Sequence, residues 1–211
     1  MGRDLGPSCR KCRREGIKLM LKGTRCESAK CPMEKPSRNV PPGGQRSFRR
    51  RQASEYGKRL RETQKVKRYY GLFDKQFRRC LALAQRSKEN TGQALLGLLE
   101  RRLDNVVCKL GMSPSCKAAR ISVGHNHFTV NGKRVNKPGY LVHVGDTISV
   151  RDRPASQKMV RAACESDAGR LVQPWLKLEA SKLEGTVLAL PSRDDVQIPV
   201  EEQLVVEFYS R

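Results

Sequence analysis

Apolar positions recur at helical intervals through the middle of the chain and then switch to alternation. Leu99, Leu103, Val106, Val107 and Leu110 form one stripe at spacings of three to four, which predicts a helical face turned to a core. Arg101, Arg102 and Lys109 fall mostly outside the stripe and are expected to face solvent or a partner. Gly111 suits a left-handed helix end, and Ser113 with Pro114 suits the start of a second helix that Gly124 can end. That helix puts Lys117 and Arg120 on one face, with Ala118 and Ile121 on another. From Phe128 the period becomes two. Phe128 and Val130 flank Thr129, Asn131-Gly132 signals a hairpin, and Gly145-Asp146 marks a turn before Ile148 and Val150.

Upstream, residues 52–90 read as two helices. Ser54 and Glu55 can open the first, in which Tyr56, Leu60, Val66 and Tyr70 recur and Lys58, Arg59, Arg61, Lys65, Lys67 and Arg68 cover the other faces. Gly71 breaks the run. The second helix takes Phe73, Phe77, Leu81 and Ala84 inward and leaves Arg78 and Arg79 outward. Residues 32–51 are a Pro- and Gly-rich linker ending in Arg49-Arg50-Arg51, with too little apolar surface to pack alone. Downstream, Pro154 opens a helical stretch through Val160 to Cys164, followed by a turn near Asp167-Ala168-Gly169. A hairpin-like segment follows between Lys182 and Pro191, and Gln203 to Tyr209 alternate as an edge strand.

Charge narrows the partners. The 211 residues hold 43 Lys and Arg against 21 Asp and Glu, a net charge of +22. Such a surplus repels itself in a compact state unless a polyanion offsets it, which points to nucleic acid. Residues 154–211 carry nine acidic against seven basic residues, so the surplus lies in the first three quarters and the last quarter reads as a covering element. No apolar run approaches the ~20 residues of a spanning helix, and no signal-peptide core lies near Met1. No membrane partner is expected.

Four cysteines carry the clearest candidate chemistry. Cys9-x-x-Cys12 and Cys26-x4-Cys31 are two close pairs separated by a loop, the spacing that tetrahedral zinc favours. Few apolar residues lie nearby, so a structural metal would supply free energy on the order of 10 kcal/mol that the segment lacks. The competing readings are disulfides, which need an oxidising compartment, and a redox pair, which normally opens a helix beside a strand. The expectation is one structural zinc ion on Cys9, Cys12, Cys26 and Cys31. Cys80, Cys108, Cys116 and Cys164 are scattered and are expected as small buried hydrophobes or free thiols. His125 and His127 are expected on one face of a strand, where a basic RNA face is favoured over a metal site. Ser47 and Ser54 lack a nearby base, and Gly43-Gly44 lacks the context of a phosphate cradle. Neither catalysis nor a small-molecule substrate is expected.

Three blocks carry a resemblance. Arg101-Arg102-Leu103-Asp104-Asn105-Val106-Val107, Leu110-Gly111, Ala119-Arg120, His125, Val130-Asn131-Gly132, Pro138, Tyr140 and Gly145-Asp146-Thr147-Ile148 resemble the RNA-binding module of the S-four family of small-subunit ribosomal proteins. Ser54-Glu55-Tyr56-Gly57, Leu60-Arg61-Glu62, Gln64-Lys65, Tyr69-Tyr70-Gly71 and Lys75-Gln76-Phe77-Arg78-Arg79 resemble the bacterial hallmark region of that family. Trp175-Leu176, Leu183-Glu184-Gly185 and Leu204-Val205-Val206-Glu207-Phe208-Tyr209-Ser210 resemble its closing segment. One departure is Cys116, where members usually place an arginine.

The resemblance implies an α+β fold: a helical domain with an N-terminal zinc-bound segment, and an inserted small module of two helices plus a twisted antiparallel sheet. The expected divisions are 1–45 (zinc segment and linker), 46–96 (helical domain), 97–153 (RNA-binding module) and 154–211 (a segment packing back on the helical domain). It further implies direct binding of 16S rRNA, nucleation of its 5′ domain, and a cytoplasmic place on the ribosome. Neighbouring small-subunit proteins would adjoin it, with mRNA near the entrance, where decoding accuracy is influenced. Candidate RNA contacts are Arg49, Arg50, Arg51, Lys58, Arg59, Lys65, Arg68, Arg101, Arg102, Lys117, Arg120, Lys133 and Arg134. An RNA-modifying enzyme with the same module would need a catalytic domain, and the 58 residues after Arg153 are too few for one. A zinc-dependent DNA regulator would need a recognition helix beside the cysteines.

Overall fold

The computed structural model describes residues 4–43, 54–166 and 172–210. They form two compact units: residues 1–95 with 197–211, and residues 96–196.

The first unit begins with α1 (Ser8–Glu15), which ends at Gly16 in the left-handed region. A 3-10 turn over Gly23–Cys26 follows. Next is α2 (Glu55–Tyr69), opened as the sequence predicts by Ser54, whose Oγ accepts the Gly57 N–H at 3.1 Å. Gly71, at φ 63°, separates it from α3 (Asp74–Ala84), which buries Phe77, Leu81 and Ala84 and leaves Arg78 and Arg79 exposed. Phe73 is the residue before that helix and is exposed, not turned inward. Tyr56 also departs from its predicted stripe and lies 58% exposed, whereas Val66 and Tyr70 are buried. The division between the units falls within α4 (Thr91–Glu100).

In the second unit the apolar stripe is broken in two. After α4 the backbone leaves the helix at Arg101 and Arg102 to meet residues 140–142: Leu103 N–H donates to the Tyr140 carbonyl at 2.8 Å, and Val142 N–H to that of Arg101 at 3.0 Å. It then re-enters α5 (Leu103–Lys109), ended by Gly111 at φ 74°. All five stripe residues are buried on both sides of the break. The next helix, α6 (Cys116–Gly124), is capped by Ser115, two residues later than predicted; its Oγ accepts the Ala118 N–H at 3.3 Å. The hairpin follows as read, β1 (Phe128–Val130) to β2 (Lys133–Arg134), with Asn131 and Gly132 both at positive φ. Then come β3 (Thr147–Val150), α7 (Pro154–Ser166), β4 (Leu176–Glu179) and β5 (Glu184–Val187). The antiparallel sheet runs β2-β1-β3-β5-β4.

Two expectations are corrected here. Residues 154–196 belong to this second unit, and only residues 197–211 return to the first. The reason is pairing and packing. β5 completes the edge of β3, and Val160, Trp175, Leu176, Leu183 and Val187 join Leu103, Val106 and Leu110 in one core. Gly185 makes the close approach possible, since a Cβ there would stand 2.4 Å from Leu110 Cδ1. The predicted edge strand over Gln203–Tyr209 is a helix, α8 (Glu202–Tyr209). Among the described residues the first unit holds no strand for it to pair with, so a helix is what satisfies its backbone groups. Val205, Phe208 and Tyr209 stand at helical spacing, and α8 lies against α2, with Tyr56 and Phe208 ring centroids 5.6 Å apart.

Candidate nucleic-acid interface

The candidate cations divide by what already holds them. On α2, Lys58 pairs with Glu55 at 2.8 Å and Arg59 Nε reaches Glu207 of α8 at 2.7 Å. Lys65 pairs with Glu62, and Arg68 pairs with Glu15, which Arg61 also approaches at 3.5 Å. Burial pushes the Glu15 carboxyl up, against the pull of Arg68 and Arg61. These contacts orient long side chains without cancelling the basic surplus. Arg49, Arg50 and Arg51 lie outside the described residues.

In the second unit the reading of Arg102 and Lys109 as solvent-facing is corrected. Arg102 is buried over Gly139, with Nε 3.1 Å and Nη2 2.8 Å from the two Asp104 oxygens. Arg120 stands 3.8 Å from the same carboxylate. Burial pushes the Asp104 carboxyl up, opposed by Arg102 and Arg120. Lys109 pairs with fully buried Glu100 at 2.9 Å, and Asn105 donates to Glu100 as well. Spacing alone could not show this, because the carboxylates that draw the cations inward sit on the same short stretch. Arg101 is half-buried, its Nε donating to the Val142 carbonyl at 2.9 Å. Lys117 is half-buried on α6, whereas Lys133 and Arg134 on the edge strand β2 are exposed. His125 caps the end of α6, and His127 precedes β1 with Nδ1 2.9 Å from Ser156 Oγ, so the two do not share a strand. Burial first, and then His125, Arg153 and Arg151, lower the His127 imidazole from its ordinary value.

A groove that the sequence pattern did not reveal lies in the first unit. Tyr56, Arg59, Arg78, Phe208 and Tyr209 line it. The Tyr209 hydroxyl donates to Asp74 Oδ1 at 2.7 Å, and Arg78 Nε donates to Asp74 Oδ2 at 2.6 Å. The Tyr209, Lys67 and Arg78 contacts hold the Asp74 carboxyl well below the usual range, while burial and Asp74 push the Tyr209 hydroxyl up. The available signal was the Phe208-Tyr209 pair, read as strand alternation.

The four N-terminal cysteines line one small cavity of about 10 Å³, the room of a single water-sized sphere. Cys12, Cys26 and Cys31 are buried and Cys9 is half-buried. Lys22 N–H donates to Cys26 Sγ at 3.3 Å. Burial pushes the Cys12 and Cys26 thiols up, and the neighbouring sulfurs add to it. Among the described residues, no three His, Cys, Asp or Glu side chains are gathered closely enough to hold a metal ion. The donor set fits zinc in number and softness. Elsewhere, Cys108 on α5 and Cys116 on α6 share a hydrogen bond that raises the Cys116 thiol, so these two are neighbours despite their spacing. No helix among the described residues is long and apolar enough to cross a membrane.

Comparison with known proteins agrees with this arrangement. The family model for the ribosomal protein S4/S9 N-terminal domain matches residues 3–100, and that for the S4 domain matches residues 101–148. The class is thus a ribosomal protein built around an S4 domain. Small ribosomal subunit protein uS4 of Thermus thermophilus is 50% identical over all 211 residues, covering both chains in full. Protein uS4A of Symbiobacterium thermophilum is 50% identical and uS4 of Acetivibrio thermocellus 48%, each over the full length of both chains. The chain belongs to the uS4 family of small ribosomal subunit proteins. These are structural proteins of the ribosome, not enzymes, and the bacterial ribosome is cytoplasmic.

Proposed function

We propose that this chain binds 16S rRNA directly, nucleates assembly of its 5′ domain, and sits near the mRNA entrance, where it influences decoding accuracy beside neighbouring small-subunit proteins. The observation that carries the reading is full-length similarity to uS4 proteins in a chain of net charge +22. Lys and Arg supply phosphate affinity that ignores sequence, and the shape of a folded RNA junction selects the site. Lys133, Arg134 and Lys58 present cations outward. Arg102 and Arg120, anchored on Asp104, act mainly by holding α5 and α6 in place. One structural zinc ion on Cys9, Cys12, Cys26 and Cys31 is part of the proposal; four soft thiol donors lining one small cavity support it, and the ion would have to draw together sulfurs that do not yet gather closely enough to hold it. It would fix the N-terminal segment and leave no open position for catalysis.

The test is chemical footprinting of full-length 16S rRNA with the purified chain. Protection is expected to concentrate in the 5′ domain and to survive excess unrelated RNA of equal length. Equal displacement by that competitor would sink the assignment.

A further inference from the structure

Two cysteines outside the N-terminal segment meet inside the second unit. Cys108 lies near the end of α5, 5% exposed in the core. Cys116 opens α6, is half-buried, and packs against the same core. Gly111, at φ 74°, turns the chain between the two helices, and the two thiols share a hydrogen bond. A disulfide asks for sulfurs about 2.05 Å apart on Cβ atoms about 3.8 Å apart. Thiols already in hydrogen-bond contact stand close to that arrangement. Asp104, which Arg102 and Arg120 hold, also acts on Cys116. A bond here would therefore brace the helix pair beside its buried ion pairs.

We propose that Cys108 and Cys116 close into a reversible disulfide when a hydroperoxide is present, stapling α5 to α6. One sulfur, as thiolate, attacks the O–O bond. That bond breaks, the sulfur keeps one oxygen as sulfenic acid, and the other leaves as hydroxide and takes up the thiol's proton as water. The second sulfur then attacks the sulfenic sulfur. The S–S bond forms, the S–O bond breaks, and hydroxide leaves with the second thiol's proton as another water. Two thiols are thus oxidised by two electrons while one hydrogen peroxide is reduced to two waters. A small-molecule thiol restores the pair by disulfide exchange. The hydrogen bond to Cys108, then burial, raise the Cys116 thiol well above its ordinary value, and Asp104 and Glu100 add to this. Thiolate is therefore scarce and closure slow, so the pair answers sustained exposure to peroxide.

The experiment treats the folded full chain with hydrogen peroxide, blocks the remaining thiols with an alkylating reagent, and maps tryptic peptides by mass spectrometry. Trypsin cuts after Arg102, Lys109 and Lys117, so peptides 103–109 and 110–117 stay joined only through the disulfide. The joined pair is expected in most molecules, is split by dithiothreitol, and is absent from C116S. The native chain's urea midpoint should rise on oxidation, because the bond restricts the unfolded chain, and C116S should show no such rise. Separate peptides with both cysteines alkylated overturn the proposal. So does a joined pair that forms only when peroxide is added in urea, or a midpoint that rises no further than in C116S. The peptide map of the native chain decides the matter even if C116S does not fold.

Discussion

Arg102 illustrates how a cation can serve an RNA-binding module without touching RNA. It is 5% exposed, and its guanidinium meets both oxygens of Asp104, itself 4% exposed. Removing one partner of a buried pair leaves the other charge uncompensated, at a cost of ~3–5 kcal/mol. Arg102→Ala is therefore expected to destabilise the second unit by about that much in urea unfolding, with RNA affinity lost only as the fold is lost. Lys133→Ala is the contrast. Its side chain is exposed on β2, so stability should change by no more than ~0.5 kcal/mol while RNA binding weakens. A stable R102A chain with weakened RNA binding would show that Arg102 reaches phosphate after all.

Elements were legible where neighbours along the chain decide the conformation. Asn131 and Gly132 both adopt positive φ, as their turn requires, and Ser54 caps α2. They were not legible where a distant partner decides. The period of residues 203–209 suits either a strand or a helix, and the lack of a strand beside it in the first unit settles the matter. The stripe from Leu99 to Leu110 hid a break, because the backbone of residues 140–142 draws Arg101 and Arg102 out of the helix. Of the candidate site, the cysteine pairs were visible from spacing, whereas the aromatic groove needed α8 to be a helix. The N-terminal element also carries a prediction. Among the described residues of its first forty, only Leu19 and Leu21 are buried apart from cysteines among the apolar side chains, so its order should depend on metal. Purified chain is expected to hold one zinc by elemental analysis. Cys9→Ser with Cys12→Ser should abolish it and speed hydrogen exchange over residues 8–31, leaving residues 96–196 protected. A reduced, metal-free chain with unchanged exchange would remove zinc from the account.

At the scale of the whole molecule, internal pairing takes up much of the acidic charge. Glu15, Asp74, Asp104, Glu100 and Glu207 each hold a Lys or Arg. With 43 basic residues against 21 acidic, the cations left over must find their counter-charge outside the chain. Each phosphate they neutralise releases condensed counterions, so the logarithm of affinity falls linearly with the logarithm of salt. For roughly six to ten contacts the fall between 50 and 200 mM salt is about 10³- to 10⁵-fold. The native chain on 16S rRNA is expected to lie in that range. Replacing Lys133 and Arg134 together by alanine should lower the slope by about two, one per contact. Arg102→Ala, measured where it remains folded, should keep the native slope, because its charge is already answered by Asp104. A flat response in the native chain would mean that phosphate neutralisation is not the source of affinity, and the surplus of cations would then need another polyanion.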